Sequence, residues 1–446
     1  MLLGTVIIML RNALRHHRAI IRSPFTRKVG SMMMYTAIGQ SMYLLTGPLI
    51  GRLFTPAEFG LYGLFYIFAV TASGVIFLNF DFAVPAAVSE EDAVRLTLGA
   101  AGIGLICTTL AGATIAFLSW QDIAGFGALP LSCALLMIIL LLFQGGVQLL
   151  QNWAIRTNET AAIGQSSITL NLVRGGTQIL LGTIFPLWWS LGIGEITGRI
   201  GNALHLHRKT GRRIGRWRGH TRSQVWDTLR TYRQFPLVLL PSQLLDSAVA
   251  FIQSGGLAYF FGPAGLGIYF LMRRTLDLPV AFAFRSLSDV FYARQAHDAR
   301  VAPERVRPFF VRSALLLAAV GFLAGIPFML VSPALFAFVF GDEWRQAGVL
   351  AAIMAPASIM NLAVAPVARV FALTTRPHLR FCFSAVNLLG TILAFAVIAR
   401  ASLDLVQATM VLSAVTFVAY LVYFAAGYVA SSALHAPTAT TDVVSA

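Results

Sequence analysis

Charged side chains interrupt the long apolar runs of this 446-residue sequence, and arginine is at least as frequent there as carboxylate. A charge at the centre of a bilayer costs about 2.5–3.5 kcal/mol on insertion scales, so each such residue is a candidate for function. A guanidinium binds a phosphate group through two parallel hydrogen bonds, whereas a buried carboxylate can bind a proton or a cation. The pattern therefore favours recognition of an anion, with carboxylates as charge partners or as a coupling-ion site.

Five arginines are candidates for the anion-binding role. Arg174, in the sequence LNLVRGGTQ, has no carboxylate within a helical turn, so it requires a wet cavity, a ligand or a distant ion-pair partner. Arg273 precedes Asp277 by four residues on the same helix face, which allows the two to pair and leaves Arg274 for another contact. Arg52 lies near the predicted outer surface, where it can snorkel, pair with a nearby glutamate or receive the anion. The predicted anion-binding residues are Arg174, Arg273, Arg274, Arg52 and Arg199.

Four acidic residues are candidates for charge partners or for the site of a coupling ion. Glu195 precedes Arg199 by four residues, in the order that favours an ion pair along one helix. Asp246 is central in its apolar run, where it could pair with an arginine or bind a proton or a sodium ion. The predicted residues are Asp246, Asp277, Glu195 and Asp81.

The elements that must position these charges are membrane-spanning helices. Hydrophobic residues make up 57% of the chain and charged residues 11%, whereas soluble domains carry about 25% charged residues. A bilayer requires about 20 apolar residues per helix, and twelve segments of the sequence meet that requirement. The predicted spans are 30–53, 60–82, 96–118, 129–150, 161–184, 186–206, 235–260, 265–290, 309–332, 346–370, 381–399 and 406–429.

Basic residues indicate the orientation of these spans. One set of connections carries 24 of the 33 basic residues and the opposite set carries three, so the positive-inside rule places both termini in the cytoplasm. The richest connection, 207–234, contains nine basic residues and two tryptophans. Two interpretations of it stay open: a contact with anionic lipid or phosphate, and control of orientation combined with a helix in the membrane interface.

A nine-residue segment occurs twice in the chain. FTPAEFGLY at 54–62 aligns without gaps on FGPAGLGIY at 261–269, with five identical residues at a constant offset of 207. Both copies join two spans on the outer side, six spans apart, which predicts two parallel six-helix bundles related by an axis along the membrane normal. The predicted parts are a basic cytoplasmic N-terminal segment (1–29), a first bundle (30–206), a basic cytoplasmic loop (207–234), a second bundle (235–429) and a polar cytoplasmic tail (430–446).

Several function classes are excluded by the sequence. It contains no G-x-x-x-x-G-K-[ST] motif, so ATP-driven pumping by this chain is not expected. Its three cysteines lie in apolar runs, and its histidine pairs have no acidic or cysteine partner nearby, so no metal site is expected. The positive net charge of 15 belongs to the membrane surface and not to a nucleic-acid site. No cofactor is expected.

Four short motifs in order carry a resemblance to a known family. They are RLFTPAEFGLY at 52–62, FDFAVP at 80–85 followed by EEDA at 90–93, YRQFP at 232–236 followed by LPS at 240–242, and GDEWRQAG at 341–348. With these motifs the sequence resembles the polysaccharide transporter (oligosaccharide flippase) family of the multidrug/oligosaccharidyl-lipid/polysaccharide (MOP) exporter superfamily. The resemblance implies an all-α polytopic membrane protein with 12 transmembrane helices in two parallel six-helix bundles, a MATE-like fold.

The resemblance also implies a function. Such a protein moves an undecaprenyl-pyrophosphate-linked oligosaccharide across the bacterial inner membrane for the synthesis of O-antigen, capsule or exopolysaccharide. It is not an enzyme and has no catalytic residues, because no bond changes. Its expected partners are the lipid-linked oligosaccharide, membrane lipids, and a glycan polymerase with its chain-length machinery. Two alternatives stay open on the same fold: a cation-coupled multidrug antiporter and a lipid II flippase.

Overall fold

The described part of the chain is built from helices. The computed structural model describes residues 24–210, 219–373 and 378–432. Short 3-10 turns, among them 80–82, 303–305 and 342–344, lie between some of the helices. The helices are α1 (Pro24–Leu53), α2 (Pro56–Val75), α3 (Ala83–Ala86), α4 (Glu90–Trp120), α5 (Cys133–Arg156), α6 (Thr160–Ile184), α7 (Trp188–Thr210), α8 (Arg222–Thr231), α9 (Gln234–Val301), α10 (Val306–Phe340), α11 (Arg345–Val364), α12 (His378–Ala401) and α13 (Leu405–Ser432).

Eight helices in the described part of the chain are long and apolar enough to cross a bilayer. The chain is therefore a multi-pass membrane protein. The predicted segments 1–29 and 430–446 lie almost wholly outside the described residues. The twelve-span count, the side of each terminus and the division into two bundles stay predictions.

Two helices begin with side-chain caps. Pro56 is the first residue of α2, and the Thr55 hydroxyl accepts a hydrogen bond from the backbone N–H of Glu58 at 3.4 Å. At the start of α4, the Ser89 hydroxyl accepts from the backbone N–H of Asp92 at 3.0 Å. Each cap satisfies a backbone donor that the first turn of a helix leaves without a partner.

The second predicted span, 60–82, is wrong at its end, because α2 stops at Val75. Leu78 and Asn79 have φ values of 48° and 65°, in the left-handed region that ends a right-handed helix. A 3-10 turn at 80–82 and the short helix α3 follow before the chain enters α4. Arg156 of α5 stabilises this irregular segment, since its guanidinium donates to the carbonyls of Val84, Ala87 and Ser89.

The two copies of the repeated nine-residue segment contact each other. Helix α9 covers two predicted spans and is interrupted at Gly262, whose φ is 68°. A side-chain carbon added to Gly60 would overlap the Pro263 carbonyl, and one added to Gly267 would overlap the Pro56 carbonyl. In each contact, the glycine belongs to one copy of the repeat and the proline to the other. Gly60 and Gly267 are 207 residues apart, as are Pro56 and Pro263. The shared glycine and proline therefore allow α2 and α9 to approach closely.

The chain divides into two compact units. One consists of residues 1–50, 72–114 and 134–240, and the other of 51–71, 115–133 and 241–446. In the first unit, α6 and α7 form an antiparallel hairpin joined by a short connection after Ile184. In the second unit, α11 packs against α10 and α13, and α12 packs against α13.

Candidate functional site

Three predicted site residues meet in one buried cluster of the first unit. The Arg174 guanidinium of α6 lies 3.2 Å from the Glu195 carboxylate of α7, and the side chains are 8% and 1% exposed. The Arg199 guanidinium, one turn further along α7, lies 3.5 Å from the other oxygen of the same carboxylate. Two guanidiniums thus share one carboxylate, and these three side chains together carry one positive charge in excess.

Two neighbours fix the position of the Arg174 guanidinium. One of its nitrogens donates to the Asn171 side-chain oxygen, and the Asn171 amide nitrogen donates to the Ser167 carbonyl at 2.8 Å. The Tyr43 ring of α1 lies 4.1 Å from the guanidinium carbon, a distance at which the ring face attracts a cation. The ion pair, the amide and the ring together hold Arg174 in one orientation.

Small residues bring α6 and α7 close enough for the buried ion pair. A side-chain carbon added to Gly198 would lie 2.8 Å from the β-carbon of Arg174, and one added to Gly194 would overlap the Gln178 side chain. The Gln178 amide donates to the Leu191 carbonyl at 3.0 Å across the same hairpin. These glycines allow the backbones to approach as small residues do in membrane helix pairs.

Arg199 has a polar atom that the protein does not use. Its Nε is buried and has no hydrogen-bond partner among the described residues. Burying a guanidinium donor without an acceptor costs free energy, so such a donor is suited to a ligand that accepts hydrogen bonds. An anionic oxygen reaching this nitrogen would also offset the excess positive charge of the cluster.

The second unit holds a separate arginine cluster on α9. The Arg273 guanidinium lies 3.5 Å from the Asp277 carboxylate, and these side chains are 33% and 49% exposed. The Arg274 guanidinium lies 5.8 Å from the centre of the Phe59 ring. One turn before Arg273, the Tyr269 hydroxyl is buried without a hydrogen-bond partner among the described residues.

In the described part of the chain, Asp246 forms no ion pair with these arginines. Its carboxylate accepts a hydrogen bond from the Ser384 hydroxyl of α12 at 2.6 Å. The short distance is typical of a hydroxyl that donates to a charged oxygen. The Asp246 carboxylate of α9 thus contacts α12, so a charge or a bound ion at this position would act on both helices.

Asp81 is buried at the irregular segment after α2. Its carboxylate accepts a hydrogen bond from the Asn152 amide of α5 at 3.2 Å. In the part of the chain that the structure describes, Asp81 forms no ion pair. Asn79, two residues earlier, has both polar side-chain atoms buried without a partner among the described residues.

Among the described residues, Arg52 contacts backbone carbonyls and no carboxylate. Its guanidinium donates to the carbonyls of Phe338 and Val339 at the C-terminal end of α10. The Trp344 indole donates to the Gly51 carbonyl at 2.7 Å in the same region. Arginine near a helix C-terminus satisfies terminal carbonyls and interacts favourably with the helix dipole. Arg52 therefore fixes the end of α1 to the end of α10.

Sequence reasoning missed the partners that lie on other helices. Asn171 is three residues before Arg174 on the same helix, so its spacing could have indicated the contact. Tyr43, Asn152 and Ser384 are polar residues of apolar segments, and a sequence gives no signal for which residue of another helix each one faces.

Comparisons with known proteins identify a family by sequence and similar folds by structure. The profile of a family described as polysaccharide biosynthesis protein matches residues 49–350. No curated protein matches the chain in sequence. A solved structure of the lipid II flippase MurJ in an inward closed conformation is similar, with 11% identity, a TM-score of 0.67, and coverage of 88% of this chain and 86% of that chain.

A multidrug resistance MATE family transporter of the MOP superfamily, in an inward-facing conformation, is also similar. It is 16% identical, with a TM-score of 0.56 and coverage of 89% of this chain and 95% of that chain. The predicted all-α polytopic fold of the MOP superfamily is confirmed by these likenesses, which at such low identities concern the fold alone.

Proposed function

Because the chain belongs to the polysaccharide biosynthesis protein family, we propose that it is a flippase for a polyprenyl-pyrophosphate-linked oligosaccharide in the bacterial inner membrane. The observation that carries the proposal is the buried cluster in which Arg174 and Arg199 share Glu195. A pyrophosphate offers anionic oxygens that can accept a hydrogen bond from the buried Nε of Arg199, and guanidiniums match its geometry. The polyprenyl chain would stay in the lipid while the headgroup moves.

Arg273, Arg274 and Arg52 are proposed as further contacts of the pyrophosphate. The partly exposed Arg273–Asp277 pair is accessible to a ligand, and the Tyr269 hydroxyl beside it can donate to an oxygen. The Arg52 guanidinium donates to two carbonyls of α10, so we propose that it contacts the anion near the end of that helix.

The carboxylates Asp246, Asp277, Glu195 and Asp81 are proposed as charge partners or as sites for a coupling ion. Glu195 and Asp277 already neutralise arginines, which suits them to balancing charge when the anion leaves. Asp246 and Asp81 accept hydrogen bonds from neutral groups, which suits them better to a proton or a cation. We further propose that a glycan polymerase and its chain-length machinery receive the exported unit.

Deletion of the gene tests this function. We expect surface polysaccharide to disappear and lipid-linked repeat units to accumulate, and the wild-type chain to restore export. Arg199→Gln should fail to restore export. Arg345→Gln is the matched control, because Arg345 forms an exposed pair with Asp342.

The outcomes also separate the alternatives. Loss of cell-wall synthesis on deletion, with surface polysaccharide unchanged, would mean a lipid II flippase. Loss of resistance to cationic dyes, with no accumulated repeat unit, would mean a drug antiporter. Full export by Arg199→Gln would remove the buried cluster from the proposal.

A further inference from the structure

Helix α8 lies in the basic connection after α7 and is held in a defined rotation. Thr221 and the side chain of Gln224 form a capping box at its start. Leu229 packs on α4, where a side-chain carbon added to Gly99 would lie 2.9 Å from it. The Tyr232 hydroxyl, just after the helix, accepts from the backbone N–H of Val88 at 3.1 Å. These contacts determine which residues of α8 face outward.

The outward surface has two rows with different chemistry. Arg222, Trp226 and Arg230 follow each other at four-residue spacing, so they form one row along the helix. All three are exposed, Trp226 to 57%, and the Arg230 guanidinium lies 5.5 Å from the Trp226 ring. A polar row that contains one acid follows on the side away from the buried face, and it consists of Ser223, Asp227 and Thr231.

The basic row therefore lies between the buried face of α8 and this polar row. A helix at a membrane surface has its headgroup contacts at this position, with apolar contacts on one side and water on the other. Tryptophan prefers the headgroup level because its ring is apolar and its N–H is polar. In the described part of the chain, neither Arg222 nor Arg230 forms an ion pair.

We propose that the row of Arg222, Trp226 and Arg230 binds acidic phospholipid headgroups of the adjacent leaflet. Two guanidiniums four residues either side of an indole can contact headgroup phosphates while the indole lies at the depth of the acyl ester groups. A basic residue near an anionic surface strengthens binding by a factor of about five, so the pair should give a preference of tenfold or more. This inference does not depend on the transported substrate.

The test is retention of lipid by the full-length protein. Protein from bilayers of equimolar phosphatidylglycerol and phosphatidylethanolamine would be analysed by native mass spectrometry, and retained lipids counted. We expect Arg222→Gln/Arg230→Gln to reduce the ratio of phosphatidylglycerol to phosphatidylethanolamine by roughly tenfold. Arg222→Lys/Arg230→Lys should keep most of the preference, because it keeps the charge.

The matched control is Arg300→Gln/Arg305→Gln, which removes two exposed arginines on the same predicted side of the membrane. An equal loss of preference in this control would overturn the proposal in favour of general surface charge. An unchanged ratio in Arg222→Gln/Arg230→Gln would also overturn it. The same holds if inorganic phosphate displaces the retained lipid, because the site would then be one for free phosphate. For the comparison to be valid, both glutamine variants must unfold at the wild-type temperature. We expect this because the substituted arginines are exposed.

Discussion

At the scale of residues, Glu195 is the charge on which the buried cluster depends. Glu195→Gln would remove the carboxylate that Arg174 and Arg199 share, and removal of one member of a buried ion pair costs about 3–5 kcal/mol. We expect a clear decrease in the thermal unfolding temperature of the purified protein. Arg345→Gln, which breaks an exposed pair, should leave that temperature nearly unchanged. Equal effects of the two variants would show that burial does not strengthen this cluster.

Asp246 offers a separate test, because charge and hydrogen bonding can be changed independently. Asp246→Asn keeps an oxygen that accepts from the Ser384 hydroxyl but removes the negative charge. If Asp246 binds the coupling ion, transport by this variant should no longer respond to a proton or sodium gradient, while the unfolding temperature stays close to wild type. Transport would be measured in proteoliposomes.

The control for this prediction is Ser384→Ala, which removes the hydrogen bond and keeps the charge. We expect it to shift the ion concentration for half-maximal transport without abolishing the response. A full response to both gradients in Asp246→Asn would exclude Asp246 as the ion site.

Sequence spacing predicts ion pairs within a helix and misses those between helices. The Glu195–Arg199 and Arg273–Asp277 pairs could be predicted, because residues four apart always share a helix face. For Arg174 the sequence left three options open: a wet cavity, a ligand or a distant ion-pair partner. Glu195 is 21 residues away on another helix, and the pairing depends on how α6 and α7 are rotated against each other.

At the scale of elements, the close approach of α2 and α9 depends on two glycines. Gly60→Ala and Gly267→Ala would each place a methyl group against a backbone carbonyl, of Pro263 and Pro56 respectively. Overpacking typically costs about 1–3 kcal/mol, and backbone cannot move aside as a flexible side chain can. We expect each variant to lower the unfolding temperature by a similar amount, since the two contacts are equivalent.

Gly146→Ala is the matched control for these glycines. Gly146 lies inside α5 and has open space around an added side-chain carbon. Alanine favours helix over glycine by about 1 kcal/mol, so this variant should be neutral or slightly stabilising. Unchanged stability of both Gly60→Ala and Gly267→Ala would mean that the two helices do not stay in contact in the membrane.

Some helix ends can be recognised from the local sequence, and others cannot. Pro56 and Ser89 mark helix starts through capping chemistry that depends only on neighbouring residues. The end of α2 has no such mark, because the apolar run continues beyond Val75. Asn79 tolerates a left-handed conformation, but Leu78 adopts it only because the surrounding structure requires it. Arg156, which holds this segment, comes from a distant part of the sequence.

At the scale of the whole molecule, charge distribution and fold have separate causes. The fold follows from apolar runs long enough to span a bilayer, which the sequence shows directly. The buried cluster of Arg174, Glu195 and Arg199 follows from no requirement of the fold, since replacing a buried ion pair by apolar residues of similar size is often neutral or stabilising. We propose that the cluster serves the ligand instead.

An anionic substrate also determines how the membrane potential acts on transport. A potential that is negative inside favours outward movement of an anion by roughly 2.3 kcal/mol per charge per 100 mV. A pyrophosphate diester with two charges would gain about twice that amount, which can replace ATP as a driving force. We therefore expect flipping of the lipid-linked oligosaccharide in proteoliposomes to accelerate when a potassium gradient with valinomycin imposes such a potential. Reversing the gradient should slow it, and Arg199→Gln, which removes one of the cations proposed to bind the diester, should respond weakly to either. Flipping at the same rate under both polarities would falsify the idea that the potential drives export.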